Sequence, residues 1–164
     1  MLHRARAVAA LVPDPELPML SLADLGILRE VTIADGHLVI TLTPTYSGCP
    51  AMREMRRDVH TRLLAAGFAD VEVRTALSPP WTSDWITQDG RRKLAAAGIA
   101  PPLPTQRRTA GPIPLTLSPL PRVLTCPHCG STNTVLTSAF SATACRALYR
   151  CQACAEPFEY VKEI

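Results

Sequence analysis

The sequence predicts an α+β domain joined to a small metal-bound module, and three observations carry that expectation. Helix and strand patterns follow one another over residues 1–100 without a repeated βαβ rhythm. Seven of the 16 prolines fall between Pro101 and Pro121, which marks an extended linker. Five of the six cysteines (Cys126, Cys129, Cys145, Cys151 and Cys154) fall in the last 39 residues, leaving only Cys49 before them. A cross-linked secreted domain would scatter its cysteines. This distribution instead separates a thiol-poor domain, 1–100, from a linker, 101–121, and a compact metal module, 122–164.

A length of 164 residues holds one domain with room for a small second one. With 47 % apolar residues the chain can build a core, which excludes disorder. The net charge of +3 is too weak to imply a nucleic-acid or membrane partner. No apolar run reaches the roughly 18 residues of a membrane-spanning helix. Arg4 and Arg6 precede a short apolar stretch that runs into Pro13-Asp14-Pro15-Glu16 with no small-residue cleavage site. That start reads as an amphipathic helix rather than a signal peptide, and a cytoplasmic location is the default.

After the proline-rich turn, Ser21 caps a single turn that Gly26 closes. A strand is expected over 27–34, and Asp35-Gly36 is a hairpin signal. Residues 37–43 alternate, with Leu38, Ile40 and Leu42 on one face and Val39, Thr41 and Thr43 on the other. A helix is expected from about 50 to 66, its buried stripe formed by Met52, Met55, Val59, Leu63 and Ala66. Arg53, Arg57 and His60 lie on another face. A third strand contains Val71-Glu72-Val73, and a last helix spans 83–97, with Gly90 as the place for an interruption. Beyond the linker, short strands are expected at 134–140, 147–150 and 158–162.

Cys126-Pro-His-Cys129 and Cys151-Gln-Ala-Cys154 are two CxxC pairs separated by 21 residues. Each pair presents two thiolates from a tight turn, and four thiolates in a tetrahedron suit Zn²⁺. The module is too short for a strong core of its own, so metal would supply folding energy, on the order of 10 kcal/mol. Two disulfides and an iron site are the competing readings. A closed four-Cys site has no open position, which favours structure over catalysis. His128 is expected in solvent. Cys145 is the odd thiol, read either as a buried turn residue or as a reactive thiol with Arg146 favouring its ionised form. Tyr149, Phe158 and Tyr160 are expected to pack the ribbon.

Cys49 closes the loop Thr43-Pro44-Thr45-Tyr46-Ser47-Gly48-Cys49-Pro50. With Pro50 as the first helical residue, Cys49 would sit at the N-cap, where the helix dipole favours a thiolate. The local chemistry suits a nucleophile or a metal ligand; a small buried Cys is the alternative. Asp14, Glu16 and Asp24 are the available acids, and Asp14 and Glu16 serve equally as turn formers.

Asp14-Pro15-Glu16-Leu17-Pro18, the turn 21–26, and Thr43-x-Thr45 to Gly48-Cys49-Pro50 together resemble the SufT-like iron–sulfur assembly domain over about residues 5–77. Pro79-Pro80-Trp81-Thr82-Ser83-Asp84-Trp85, the Gly90-Arg91-Arg92-Lys93-Leu94 segment, Gly98-Ile99-Ala100-Pro101-Pro102 and the ribbon stretch Ala144 to Cys151 extend the likeness. Nearly the whole chain then resembles the PaaD family, accessory proteins encoded with phenylacetyl-CoA epoxidase in aerobic phenylacetate degradation. The resemblance implies a small α/β-sandwich, a short mixed sheet with helices, followed by a four-Cys zinc ribbon. It also implies a non-catalytic role: assembly or delivery of an iron–sulfur cluster, with the reductase component of the epoxidase as a client. Cys49 occupies the position of the family's loop Cys, and Asp14 and Glu16 match its acidic turn. The family's Gly-Ser-Thr ahead of Ala-Cys is replaced here by Ser141-Ala142-Thr143, and Glu163-Ile164 stand where some relatives end in Cys. Four-Cys zinc is therefore the reading kept for the ribbon, with Cys145 unassigned.

One thiol cannot complete the usual four-Cys ligand set of a cluster, so a transient cluster on Cys49 requires a partner or a homodimer. The competing functions are a stoichiometric structural subunit of the epoxidase and a zinc-ribbon nucleic-acid adaptor. Arg122, Arg146, Arg150 and Lys162 would carry the latter, offset by Glu156, Glu159 and Glu163. No Glu-x-x-His motif for di-iron chemistry occurs in the chain.

Overall fold

Asp35 and Gly36 take φ of 52° and 85°, the positive-φ pair that lets a two-residue turn follow the twist of its strands. The turn joins β1, Leu28–Ala34, to β2, His37–Leu42, in an antiparallel hairpin. From β2 the chain passes through α2, Met52–Ala65, to β3, Val71–Thr75, which lies parallel to β2. The sheet order is β1-β2-β3, and it contains one βαβ unit. The computed structural model describes residues 1–103 and 123–163, so the expected linker falls outside the described residues from position 104 onward. Among the described residues no helix is long and apolar enough to cross a membrane.

Register places Val31, Leu38, Ile40 and Val73 on one face of this sheet, all buried. The helix α1, Leu2–Ala10, packs on β1 and on α2 through the small buried residues Ala5 and Ala9. α2 packs on β3 and buries Met55, Val59 and Leu63 at i, i+4 and i+8, while Met52 and Ala66 of the expected stripe are only half-buried. Val39 belongs to the opposite face yet is 3 % exposed. It sits on the central strand with Thr32 and Glu72 as its register partners on either side.

Residues 21–29 and 81–96 lock together. Ser21 Oγ accepts from the Asp24 N–H at 3.1 Å, and Asp24 Oδ2 accepts from the Ser21 N–H and hydroxyl at 2.9 Å each, a reciprocal capping pair. The same Oδ2 accepts from Lys93 Nζ at 2.8 Å. Asp24 is buried, its carbonyl accepts from the Thr87 N–H at 2.8 Å, and the Leu25 carbonyl accepts from the Trp81 indole at 2.8 Å. A Cβ on Gly26 would come within 2.6 Å of Trp85, and one on Gly90 within 2.8 Å of the Asp24 carbonyl, so both contacts require glycine.

The helix expected at 83–97 is two pieces: a 3₁₀ turn, Ser83–Trp85, and α3, Gln88–Ala96. The break falls at Ile86 and Thr87, which are extended, because the Thr87 hydroxyl caps α3 by accepting from the Gly90 N–H at 3.0 Å. Gly90 lies inside α3 rather than interrupting it.

The chain forms two compact units, and the second comprises 98–163, beginning slightly before the expected boundary at 100. Its reason is β4, Ile99–Ala100, which pairs in parallel with β7, Pro157–Val161. β6, Arg146–Cys151, pairs antiparallel with β7 and with β5, Thr134–Ser138, giving the order β4-β7-β6-β5. Tyr149 stacks on Phe158 at 6.0 Å and meets Tyr160 edge-on at 5.7 Å, so the expected aromatics do form the ribbon core.

Burial is the largest single influence on the Asp24 carboxyl and acts to raise it, but the hydrogen bonds from Lys93 and Ser21 and the Lys93 charge together outweigh it and hold the carboxyl below the usual range. A depressed carboxyl stabilises the fold above its unfolded pKa, and that contribution disappears as pH falls through its folded value. Asp24→Asn is expected to cost about 1.5–3 kcal/mol at pH 7, the range for hydrogen bonds to a charged group. The difference from wild type should shrink toward pH 3 in urea unfolding followed by Trp fluorescence; an equal deficit at both pH values would contradict this account.

Candidate functional site

The two CxxC pairs meet in space. The Sγ atoms of Cys126, Cys129, Cys151 and Cys154 all lie within 4.8 Å of one another. Cys126 is 3.8 Å from Cys154, and Cys129 is 3.6 Å from Cys151. These are contacts between knuckles and far longer than disulfide bonds. Four sulfurs at about 2.3 Å from a central ion would stand about 3.8 Å apart, so the donor set fits a tetrahedral metal and binds it structurally.

Each knuckle is built by backbone. The Gly130 N–H donates to the Cys126 carbonyl and the Cys126 N–H to the Ser131 carbonyl, both at 2.9 Å. The second knuckle repeats the closure, with the Cys151 N–H donating to the Glu156 carbonyl at 2.9 Å. Gly130 has φ 75°, whereas Ala155 holds the matching position at φ 64° despite its Cβ. Strain of about 1–2 kcal/mol is therefore built into the second knuckle.

Backbone N–H groups of Cys154 and Ala153 point at the Cys151 sulfur and, with the neighbouring thiols, bring it down to about 6 against the cost of burial. The Glu156 N–H favours the Cys154 thiolate, but burial and the three other sulfurs outweigh it and push that thiol up to about 12. Cys129 is also raised; the Ser131 N–H favours its thiolate, but burial and neighbouring sulfurs prevail. Four negative charges at this separation need a cation between them, and binding one must release protons.

Cys145 does not join this site. It precedes β6, and Cys151 ends that strand. Six residues of strand separate them by about 20 Å. Its sulfur lies 3.1 Å from the Thr143 hydroxyl, and it is half-buried. Arg146, expected to favour its ionisation, instead donates to Glu159 at 2.6 Å and to Thr143 at 3.0 Å. His128 is exposed as expected, its ring against Gly98.

Cys49 lies between two consecutive turns: its N–H donates to the Tyr46 carbonyl at 3.1 Å, and its carbonyl accepts from the Met52 N–H at 3.3 Å. α2 starts later than expected, with Ala51 as N-cap, so Cys49 stands two residues ahead of the cap rather than on it. Turn bonding at 46–52 takes the place of the first expected helical turn. Cys49 is half-buried. The residues that precede it in the loop, Thr43, Pro44, Thr45, Tyr46 and Ser47, line a cleft of about 260 Å³ with Leu77, Pro80 and Trp81, and Cys49 itself is not part of that lining. The composition gave no sign that these last three face the loop. The Trp81–Leu25 hydrogen bond fixes Trp81 there, on a segment also held by the Asp24 contacts.

Asp14 is buried, and its Oδ1 accepts from the Glu16 and Leu17 N–H groups at 2.9 and 2.8 Å. The carboxylate thus organises the connection 14–20, whose ends meet where the Asp14 N–H donates to the Leu20 carbonyl at 2.9 Å. Glu16 is half-buried on the same turn.

Comparison with known proteins gives two separate family matches. Residues 5–75 match the family model described as an iron–sulfur cluster assembly protein, and 112–162 match the PaaD zinc beta ribbon domain. An Escherichia coli (strain K12) protein named as a subunit of 1,2-phenylacetyl-CoA epoxidase is 42 % identical over 160 residues, covering 98 % of this chain and 92 % of that one. A Porphyromonas gingivalis protein named as an Fe-S protein maturation auxiliary factor is 31 % identical over 85 residues, 51 % of this chain and 80 % of its own. The crystal structure of the DUF59 domain from Bacillus anthracis matches with a TM-score of 0.52 and 28 % identity, covering 57 % of this chain and 90 % of that one.

Chelation of the metal is expected to collapse the amide resonances of 123–163 while those of 1–97 persist; a ribbon that keeps its spectrum without metal would contradict the folding role assigned to it. Acidification works in the same direction, because protons compete with the metal for the thiolates, so metal release, followed with a chromophoric chelator, should rise as pH falls. Ala155→Gly should relieve strain and raise the ribbon's unfolding free energy by about 1 kcal/mol, measured in the metal-loaded protein.

Proposed function

The chain belongs to the PaaD family, and from that premise we propose that it is a non-catalytic maturation factor that assembles or delivers an iron–sulfur cluster for phenylacetyl-CoA epoxidase, in the cytoplasm. The observation that carries this reading is Cys49, half-buried in the loop 43–50 within the part of the chain matched by the iron–sulfur assembly model.

The cluster is cargo. The Cys49 thiolate holds one iron while the remaining ligands come from a partner or a second copy of the chain, and a client's thiolates then displace it. A half-buried ligand suits that exchange, since it shields the cluster without enclosing it. The client is the epoxidase's reductase component. Asp14 keeps the 14–20 turn in place, and Glu16 contributes the acidic side chain on that turn. The ribbon metal is zinc, held by Cys126, Cys129, Cys151 and Cys154 in a closed site with no position for substrate. It supplies folding energy rather than chemistry.

The naming of the Escherichia coli relative as an epoxidase subunit favours a second reading, in which the chain is a stoichiometric structural part of the epoxidase. Co-purification at fixed ratio with the mature complex supports that reading; loss of the chain from the complex after cluster insertion supports maturation.

Anaerobic reconstitution with iron and sulfide is expected to give a labile visible absorbance that Cys49→Ala removes, with ribbon zinc unchanged by metal analysis. Full epoxidase activation by Cys49→Ala would sink the maturation role.

A further inference from the structure

We infer that one face of α2 is the docking surface for an acidic face of the iron–sulfur client, an inference that rests on the maturation reading. Arg53, Arg56, Arg57 and His60 fall at i, i+3, i+4 and i+7 and line one shallow cleft of about 250 Å³ with Val73 of β3 as floor. Arg57 is neutralised by Glu54 at 2.7 Å and by Asp58 at 3.5 Å. Arg53, Arg56 and His60 have no ion-pair or hydrogen-bond partner among the described residues. Exposed guanidinium groups without a paired carboxylate on one stripe create a local positive field, which Glu54 and Asp58 offset only at Arg57.

The stripe's length favours a protein over a small anion. From Arg53 to His60 the helix rises about 10.5 Å, too far for one phosphate to span but suited to several carboxylates along an acidic helix or strand. Its position fits the client. Arg53 follows Cys49 by four residues, and the Cys49 carbonyl bonds the Met52 N–H, so the stripe starts about one turn from the thiol. A client drawn to the stripe brings its own cysteines to the end of α2 where the cluster is held. Charged residues at such a surface act mainly on the rate of encounter.

The test follows anaerobic cluster transfer from the full-length protein to the apo form of the epoxidase reductase, comparing wild type, Arg53→Glu/Arg56→Glu and Arg62→Glu. Arg62 lies on the opposite side of α2 and makes the same kind of charge change away from the stripe. All three should take up cluster alike, since Cys49 is intact. At 50 mM NaCl the double variant should transfer at least about tenfold more slowly, Arg62→Glu should match wild type, and 0.5 M NaCl should bring wild type down to the double variant's rate. Poly-glutamate should inhibit wild-type transfer more than inorganic phosphate at equal charge. Equal transfer by the double variant and wild type, or equal slowing by Arg62→Glu, overturns the docking surface. Stronger inhibition by inorganic phosphate overturns it in favour of a small-anion site. Cluster uptake that survives Cys49→Ala instead overturns the maturation reading, which keeps the two failures distinguishable.

Discussion

The Asp24 carboxylate is the interaction on which the first unit depends. One oxygen gathers the Ser21 N–H, the Ser21 hydroxyl and the Lys93 ammonium, and the carbonyl of the same residue takes the Thr87 N–H. Two segments distant in sequence are thereby pinned along their length. Trp81 and Pro80, which close the cleft beside the Cys49 loop, stand on the segment so pinned. A charge this buried is costly unless its oxygens are satisfied, so the arrangement is all-or-none. That is a sound basis for holding a loop whose residues have little core of their own.

The second unit solves its stability problem differently. Its core of small strands and three aromatics is too slight to stand alone, and four sulfurs at van der Waals distance repel once ionised. A cation converts that repulsion into the strongest contact in the ribbon. The chain even tolerates Ala155 in a left-handed conformation to close the second knuckle. A metal held there would confer structure, which leaves Cys49 in the other unit as the thiol to which the proposed chemistry is assigned.

Much of the candidate site was legible because its signals are local. The CxxC spacing brings sulfurs together within a turn, and Asp35-Gly36 dictates its hairpin through φ alone. Cys49 stood out by being the single thiol of its domain. Its exact relation to α2 was not legible, because turn bonding through Tyr46 and Met52 competes with helix over the same residues. Of the two readings of Cys145, the one that used Arg146 loses its support for a related reason. Neighbours in sequence suggested a pair, but strand pairing places Glu159 across from β6, and a carboxylate is the stronger partner for a guanidinium.

The sequence by itself determined the α+β class, the hairpin, the Met55–Val59–Leu63 centre of the α2 stripe and the meeting of the four ribbon cysteines, since each rests on periodicity, turn chemistry or close spacing. Tertiary structure decided what depends on distant segments meeting. It brought Lys93 and Thr87 to Asp24, set Trp81 over the 43–47 loop, added Ile99 and Ala100 to the ribbon sheet, and left Cys145 a strand's length from the metal site. No local pattern encodes those meetings, because buried charge pairs and strand additions are settled by which surfaces the whole fold leaves to be satisfied.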